Sequence, residues 1–286
     1  MEALQLLESS RLFFLIACGA LGLVVGSFLN VVIYRLPVMM ERAWNRECRE
    51  HAGIPADTDE PQRFNLLTPA SRCPQCNHRI TALENIPLIS YLFLKGRCSG
   101  CGTSISMRYP AVELATAILS VVTALHFGYS LQTVAALGFT WALIALFLID
   151  FDHQILPDSI TLPLLWAGLL LSLFNLFVDS HNSIVGAIAG YLTLWVIFHA
   201  FKLLTGKEGM GYGDFKLLGA IGAWVGWQSL PVVILFSSVV GAAIGITLIL
   251  FKGRDHSQPM PFGPFLAAAG WMTLLWGNDI IRLYLQ

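Results

Sequence analysis

Apolar residues run along this chain in long blocks, not in alternating or helically spaced stripes. The blocks occupy residues 12–34, 110–127, 131–149, 159–178, 183–203, 215–227, 231–251 and 262–284. A bilayer-spanning helix needs about 20 predominantly apolar residues, so the pattern predicts an all-α polytopic membrane protein with about eight transmembrane helices. The block 215–227 is short and Gly-rich, and a re-entrant segment is the alternative for it. A long polar stretch over 35–109 separates the first two blocks and is large enough to form a water-exposed insert. The expected division is therefore a first anchor over 1–34, the insert over 35–109 and a membrane-embedded portion over 110–286. Glu2 and Glu8 stand in the first ten residues without any Lys or Arg, which argues against a cleaved signal peptide and for a retained anchor.

Composition supports the membrane reading. Of the 286 residues 56% are apolar and only 12% are charged, against about 25% charged in soluble domains, and the mean hydropathy is +0.67. A soluble enzyme, a disordered chain and a secreted disulfide scaffold are excluded. A net charge of −1 gives no sign of nucleic-acid binding, and the lipid bilayer is the expected surrounding. Ten of the 17 basic residues (Arg35, Arg42, Arg46, Arg49, Arg63, Arg72, Arg79, Lys95, Arg97 and Arg108) fall in the insert. Because cytoplasmic loops collect Lys and Arg, the insert is expected in the cytoplasm. Eight spans then place Lys202, Lys207, Lys216, Lys252 and Arg254 on the same side and only Arg11 and Arg282 opposite. The connections around 150–158 and 204–214 accordingly face the cytoplasm.

Two C-x-x-C pairs, Cys73/Cys76 and Cys98/Cys101, stand 21 residues apart in the insert. Each offers two thiolates from one tight turn, eased in the second by Gly100 and Gly102. Four sulfurs suit a structural zinc ion in a reducing compartment and leave no open coordination position for catalysis. Disulfides and an iron–sulfur cluster are the alternatives, the former disfavoured in the cytosol. Zinc would staple an insert too poor in apolar residues to fold well alone. Cys18 reads as a membrane-core residue, and Cys48 fits no pair.

Charged groups beside membrane spans suggest function. Asp150 closes the block ending at Ile149, and Asp214 ends Gly209-Met210-Gly211-Tyr212-Gly213-Asp214 just before the block 215–227. Both fall at the cytoplasmic edge, so distant parts of the chain can meet at one depth. The three glycines are expected to take conformations that other residues avoid and to let a substrate backbone approach. Two neighbouring carboxylates can share one proton: the ionised member activates water, and the protonated member hydrogen-bonds the scissile carbonyl. A helix N-terminus at Asp214 would favour it as the base, although the titration belongs to the pair. Asp158 is expected to cap the following helix, Asp152 and His153 to be solvated, Glu208 to be a loop charge and Glu113 to be a first-turn dipole partner. Metal binding by Asp150, Asp152, His153, Asp158 and Asp214 is an alternative to the acid pair.

Taken together, these motifs closely resemble those of the bacterial prepilin peptidases, also called type 4 leader peptidases, over nearly the whole chain. The opening signature lies in Gly26-Ser27-Phe28-Leu29-Asn30 and continues to Tyr34-Arg35-Leu36-Pro37. Ser71-Arg72-Cys73-Pro74, Asn85-Ile86-Pro87, Gly96-Arg97-Cys98 and Ser106-Met107-Arg108-Tyr109-Pro110 look like the family's cytoplasmic domain. Asp150 through Pro157-Asp158, Gly209 through Lys216, and Pro261-Phe262-Gly263-Pro264-Phe265 look like its membrane half. The Gly-x-Gly-Asp element alone is also similar to that of presenilins and archaeal preflagellin peptidases.

The resemblance implies a bacterial inner-membrane aspartic protease that removes leaders from type IV prepilins or type II secretion pseudopilins. Cleavage falls on the cytoplasmic side, after a Gly that precedes an apolar helix, with Asp150 and Asp214 as the catalytic pair. It also implies that the new N-terminal amine, usually of Phe, is methylated with S-adenosylmethionine in the cysteine-containing domain, where Lys95 and Gly96 are the candidate cofactor contacts. The competing readings are a secondary transporter or channel with a zinc-stapled cytoplasmic domain, an intramembrane aspartic protease of other substrates, and an assembly protein whose insert docks partners. No paired repeats and no mid-span charge favour a transporter, and the assembly reading leaves the Gly-rich Asp loop unexplained.

Overall fold

A computed structural model describes residues 2–54, 64–252 and 260–285; Arg63 and Arg254 of the basic loops lie outside the described residues. Among the described residues the regular structure is helical, with two isolated β-bridges. The chain divides into two compact units, residues 1–129 and 130–286.

The first unit holds α1 (Glu2–Ser9), α2 (Arg11–His51), α3 (Ile89–Phe93) and α4 (Arg108–Phe127). Ser10 starts α2 by accepting the Phe13 amide at 3.3 Å. The helix does not end at residue 34 but continues through Pro37 for 41 residues, about 60 Å at 1.5 Å per residue. It packs against α4 through small residues, the usual means of close approach between helices in lipid. A Cβ on Gly22 would lie 2.7 Å from Ser120 Oγ, and one on Gly26 would lie 2.8 Å from Glu113 Cα. The hydroxyls of Thr116 and Ser120 bond the carbonyls one turn earlier and so bring no unsatisfied donor into this seam. Family-signature residues fasten the insert to the pair. Arg35, buried, donates to the carbonyls of Asn65 at 2.9 Å and Pro69 at 2.6 Å. Asn30 donates to the Tyr109 carbonyl at 3.1 Å. Glu113, expected as a dipole partner, instead accepts the Leu88 amide at 2.9 Å.

The second unit holds α5 (Leu131–His153), α6 (Asp158–Ser172), α7 (Ser180–Thr205), α8 (Tyr212–Val225), α9 (Leu230–Lys252) and α10 (Gly263–Leu285). The α8 helix lies at its centre: every residue from Leu217 to Val225 is buried, against α6, α7 and α10. The approach to α7 is backbone to backbone, since a Cβ on Gly186 would lie 2.2 Å from the Gly222 carbonyl oxygen and one on Gly190 2.5 Å from that of Leu218. Ser183 Oγ donates to the Ala223 carbonyl at 2.6 Å and Trp224 Nε1 to the Leu164 carbonyl at 2.8 Å. Phe139, Leu146, Phe198, Phe215 and Ile221 fill the core between these contacts.

Among the described residues, five helical stretches are long and apolar enough to cross a membrane: Arg11–His51, Arg108–Phe127, Leu131–His153, Ser180–Thr205 and Trp227–Leu248. The other apolar blocks are helical as well. α6 has 15 residues and α8 has 14, and the latter measures about 21 Å against a hydrocarbon core of about 30 Å.

Candidate active site

Asp150 lies in the last turn of α5 and Asp214 in the first turn of α8. Two connections bring those helix ends together. A left-handed Gln154 (φ 56°) stops α5 and turns the chain toward α6, so that Leu156 packs against the backbone of both partner segments. A Cβ on Gly213 would lie 2.8 Å from Leu156 Cβ, and one on Gly263 would lie 2.6 Å from Asp150 Oδ2 and 3.1 Å from Leu156 Cδ1. Gly263, Leu156 and Gly213 thus form a wall on which the two carboxylates are set. Sequence reasoning gave Gly263 and Leu156 no role, because their contribution is steric.

Asp150 and Asp214 are 5% and 6% exposed. Asp214 Oδ2 accepts the Gly211 amide at 3.3 Å, closing the N-terminal turn of α8. Asp150 Oδ2 and Asp214 Oδ1 are buried without a hydrogen-bond partner. A buried carboxylate oxygen left unpaired is costly, and two of them at one site supply the groups that could hold a shared proton and a water.

The neighbouring acids fall elsewhere. Asp158 does not cap α6; Pro157 holds that position and Asp158 is the first helical residue, bound through both oxygens to Lys216 Nζ at 2.7 Å. Glu208 pairs with Lys202 at 2.7 Å, and Asp152 and His153 are exposed. The glycines before Asp214 also need a different explanation, because none of Gly209, Gly211 and Gly213 has a positive φ. Gly213 is required by space, and the left-handed residue of this segment is Gly206 (φ 70°), which ends α7.

In the first unit the four thiols of Cys73, Cys76, Cys98 and Cys101 lie within 4.8 Å of one another. Two hairpin knuckles of the same design carry them. The Cys73 amide bonds the His78 carbonyl and the left-handed Asn77 closes back on the Cys73 carbonyl; the Cys98 amide bonds Thr103 and the left-handed Gly102 closes back on Cys98. A bridge seals each, Arg72 to Arg79 and Arg97 to Ser104. The Cys73–Cys101 and Cys76–Cys98 sulfur separations are both 3.9 Å. That is far from a disulfide bond of about 2.05 Å and close to the edge of about 3.8 Å expected of a tetrahedron with zinc–sulfur distances of about 2.3 Å. Without a cation the four thiols are held unequally. The Thr103 hydroxyl and amide hold Cys101 down at about 6. At Cys76 the His78 amide lowers the pKa, but burial and the other three sulfurs outweigh it and push it up to about 12. The donor set fits zinc. Glu84 ties the knuckles together, bonding Ser99 of the second and His78 of the first at 3.2 Å.

Lys95 and Gly96 form the left-handed turn (φ 52° and 67°) that leads from α3 into the second knuckle. A Cβ on Gly96 would lie 2.8 Å from the Tyr91 hydroxyl, so the turn alone accounts for this glycine. Lys95 is exposed.

Residues 20–127 match the Bacterial Peptidase A24 N-terminal domain and residues 137–246 the Type IV leader peptidase family. A protein of Aeromonas salmonicida named prepilin leader peptidase/N-methyltransferase is 59% identical over 268 residues, covering 93% of this chain and 91% of its own. Proteins of the same name from Stutzerimonas stutzeri and Pseudomonas aeruginosa are each 54% identical over 286 residues, covering all of this chain and 99% and 98% of their own. No solved structure matches. With both halves matched in order and relatives of this identity aligned end to end, the chain belongs to the type IV leader peptidase family.

Proposed function

We propose that the protein is a multi-pass inner-membrane enzyme that removes the leader peptide from type IV prepilins or type II secretion pseudopilins and methylates the amine this exposes. The observation that carries the peptidase reading is the pair of buried carboxylates, Asp150 and Asp214, each with one unpartnered oxygen. In this reading the ionised member takes a proton from water as hydroxide adds to the scissile carbonyl. The protonated member hydrogen-bonds the carbonyl oxygen, and the tetrahedral species collapses with a proton passing to the leaving amine. The division of roles between the two stays open, because the titration belongs to the pair.

The remaining assignments follow the same reading. The basic insert and the site face the cytoplasm, and α6, α8 and α10 are embedded in the membrane with the five candidate spans. The anchor over 1–34, insert over 35–109 and peptidase portion over 110–286 are a functional division, although α4 packs with α2. Cys73, Cys76, Cys98 and Cys101 hold a structural zinc ion. Methylation belongs to the insert, with S-adenosylmethionine supplying an electrophilic methyl group. Lys95 and Gly96 are the candidate contacts, Lys95 having a charge suited to the carboxylate of that cofactor.

The test is an intact-mass assay in proteoliposomes, with wild-type and Asp214→Asn protein incubated with a prepilin-type substrate and S-adenosylmethionine. Loss of the leader followed by a gain of one methyl group, with the wild type alone, is expected. Cleavage that persists in the variant overturns the dyad, and cleavage without methyl transfer overturns the second activity.

A further inference from the structure

We infer that residues 86–94 of the insert form a membrane-seated finger, with Ile89, Leu92 and Phe93 in contact with the acyl chains of the bilayer that holds α2 and α4. The finger has no hydrophobic core of its own: α3 contains no buried residue, and Ile89, Leu92 and Phe93 are 51%, 74% and 83% exposed. Its polar groups are already satisfied. Ser90 Oγ donates to the Ile86 carbonyl at 2.8 Å, and the Tyr91 hydroxyl is turned back toward Met107 and Ile105. The amides of Ser90, Leu92 and Leu94 bond to Ile86, Leu88 and Ser90. Hydrocarbon is what remains on the outside of a short segment with closed backbone bonds, as lipid contact demands.

The anchoring of Leu88 sets the depth. Its amide bonds to Glu113, five residues into the α4 span and so about 7–8 Å from the start of that helix. On α2 the same level is Gly26, which packs against Glu113 Cα and lies well inside the apolar block 12–34. A helical side chain leans toward its own N-terminus, which places the Leu88 amide near the span ends, within the upper acyl region where interfacial helices lie about 5–10 Å deep. Tyr34 and Tyr109, 65% and 47% exposed, mark that boundary independently, as tyrosines gather at headgroup level. Deeper along α4, Leu114 and Ile118, both about half exposed, offer further hydrocarbon to the same bilayer. Arg97, exposed, follows closely and supplies a cation expected beside lipid phosphates.

The experiment uses the full chain, one copy per nanodisc, in phospholipid carrying a photoactivatable diazirine in its acyl chain, with adducts mapped by mass spectrometry. Adducts on Ile89, Leu92 and Phe93 at yields comparable to those on Ile118, with residues 72–79 at background, are expected. Leu92→Asp with Phe93→Asp should lose the adduct at Ile89 while the protein keeps its metal content and the labelling of Ile118. Background labelling of 89–93 alongside labelled Ile118 overturns the proposal. So does labelling that vanishes in discs holding two copies, which would assign the patch to a second chain.

Discussion

Gly263→Ala is the sharpest single perturbation of the proposed dyad. The added methyl carbon would lie 2.6 Å from Asp150 Oδ2 and 3.0 Å from its Cγ. Close carbon–oxygen contacts settle at about 3.3–3.6 Å, so the carboxylate must retreat by about 0.7–1.0 Å. It can do so by rotating about its own bonds, which leaves the backbone of α5 and α10 in place and keeps the stability cost small. Catalysis has no such freedom. A misplacement of 1 Å costs about 10²-fold in rate, so this displacement should lower kcat about 25- to 100-fold, equivalent to about 1.9–2.7 kcal/mol of barrier. KM should change little, because the atoms the methyl group meets are those of Asp150 and Leu156. The assay is leader cleavage of a prepilin-type substrate in proteoliposomes across substrate concentrations, with thermal unfolding measured in parallel. Gly211→Ala is the control: its Cβ would find nothing nearer than Asp214 Oδ2 at 3.9 Å, and near wild-type turnover is expected. Equal turnover by the two variants, with Gly263→Ala folded, would refute the placement of Asp150 against Gly263 as a condition of catalysis.

Three further outcomes follow from the packing. Gly222→Ala should lower thermal stability by about 1–3 kcal/mol or more, since its Cβ would lie 2.2 Å from the Gly186 carbonyl oxygen; an unchanged melting temperature would show that α7 and α8 can separate freely. Asp158→Asn should retain cleavage and cost less than about 1 kcal/mol, as a half-exposed ion pair does; complete loss of cleavage would add Asp158 to the catalytic set. Chelation should make residues 64–107 protease-sensitive before the membrane helices loosen, and returning zinc at neutral pH should release protons, because burial and the neighbouring sulfurs push the Cys76 thiol up and it must bind as thiolate. Zinc uptake without proton release would contradict that donor set.

Much of this architecture is legible as blocks of apolar sequence, because lipid demands continuous hydrocarbon and leaves a coarse signal. Asp150 and Asp214 stand out for the same reason, as charges placed where a block stops or begins. Steric roles are silent by comparison. Gly263 reads as one glycine in a Pro-Phe-Gly-Pro segment until Asp150 is seen against it. Gly213 suggests an unusual φ when it in fact clears Leu156. Helix ends are set by contacts that the pattern does not contain. α2 passes Arg35 because that guanidinium is bound by Asn65 and Pro69 of the insert, and α6 stops at Ser172, short of the end of its apolar block, in a turn with a left-handed Asn175. The twin knuckles escape notice as a repeat because Asn77 and Gly102 share a left-handed backbone and no side-chain chemistry.

The claim that Asp150 and Asp214 act as one unit is tested most directly by a cycle of Asp150→Asn, Asp214→Asn and the double variant in the leader-cleavage assay, with folding of each confirmed. Residues that share one proton and one water are grossly non-additive. Each single variant should therefore lose at least about 10²–10⁴-fold in kcat, and the double variant should be no slower than the worse single one. Losses that multiply in the double variant, or wild-type turnover by either single variant, would contradict the shared dyad.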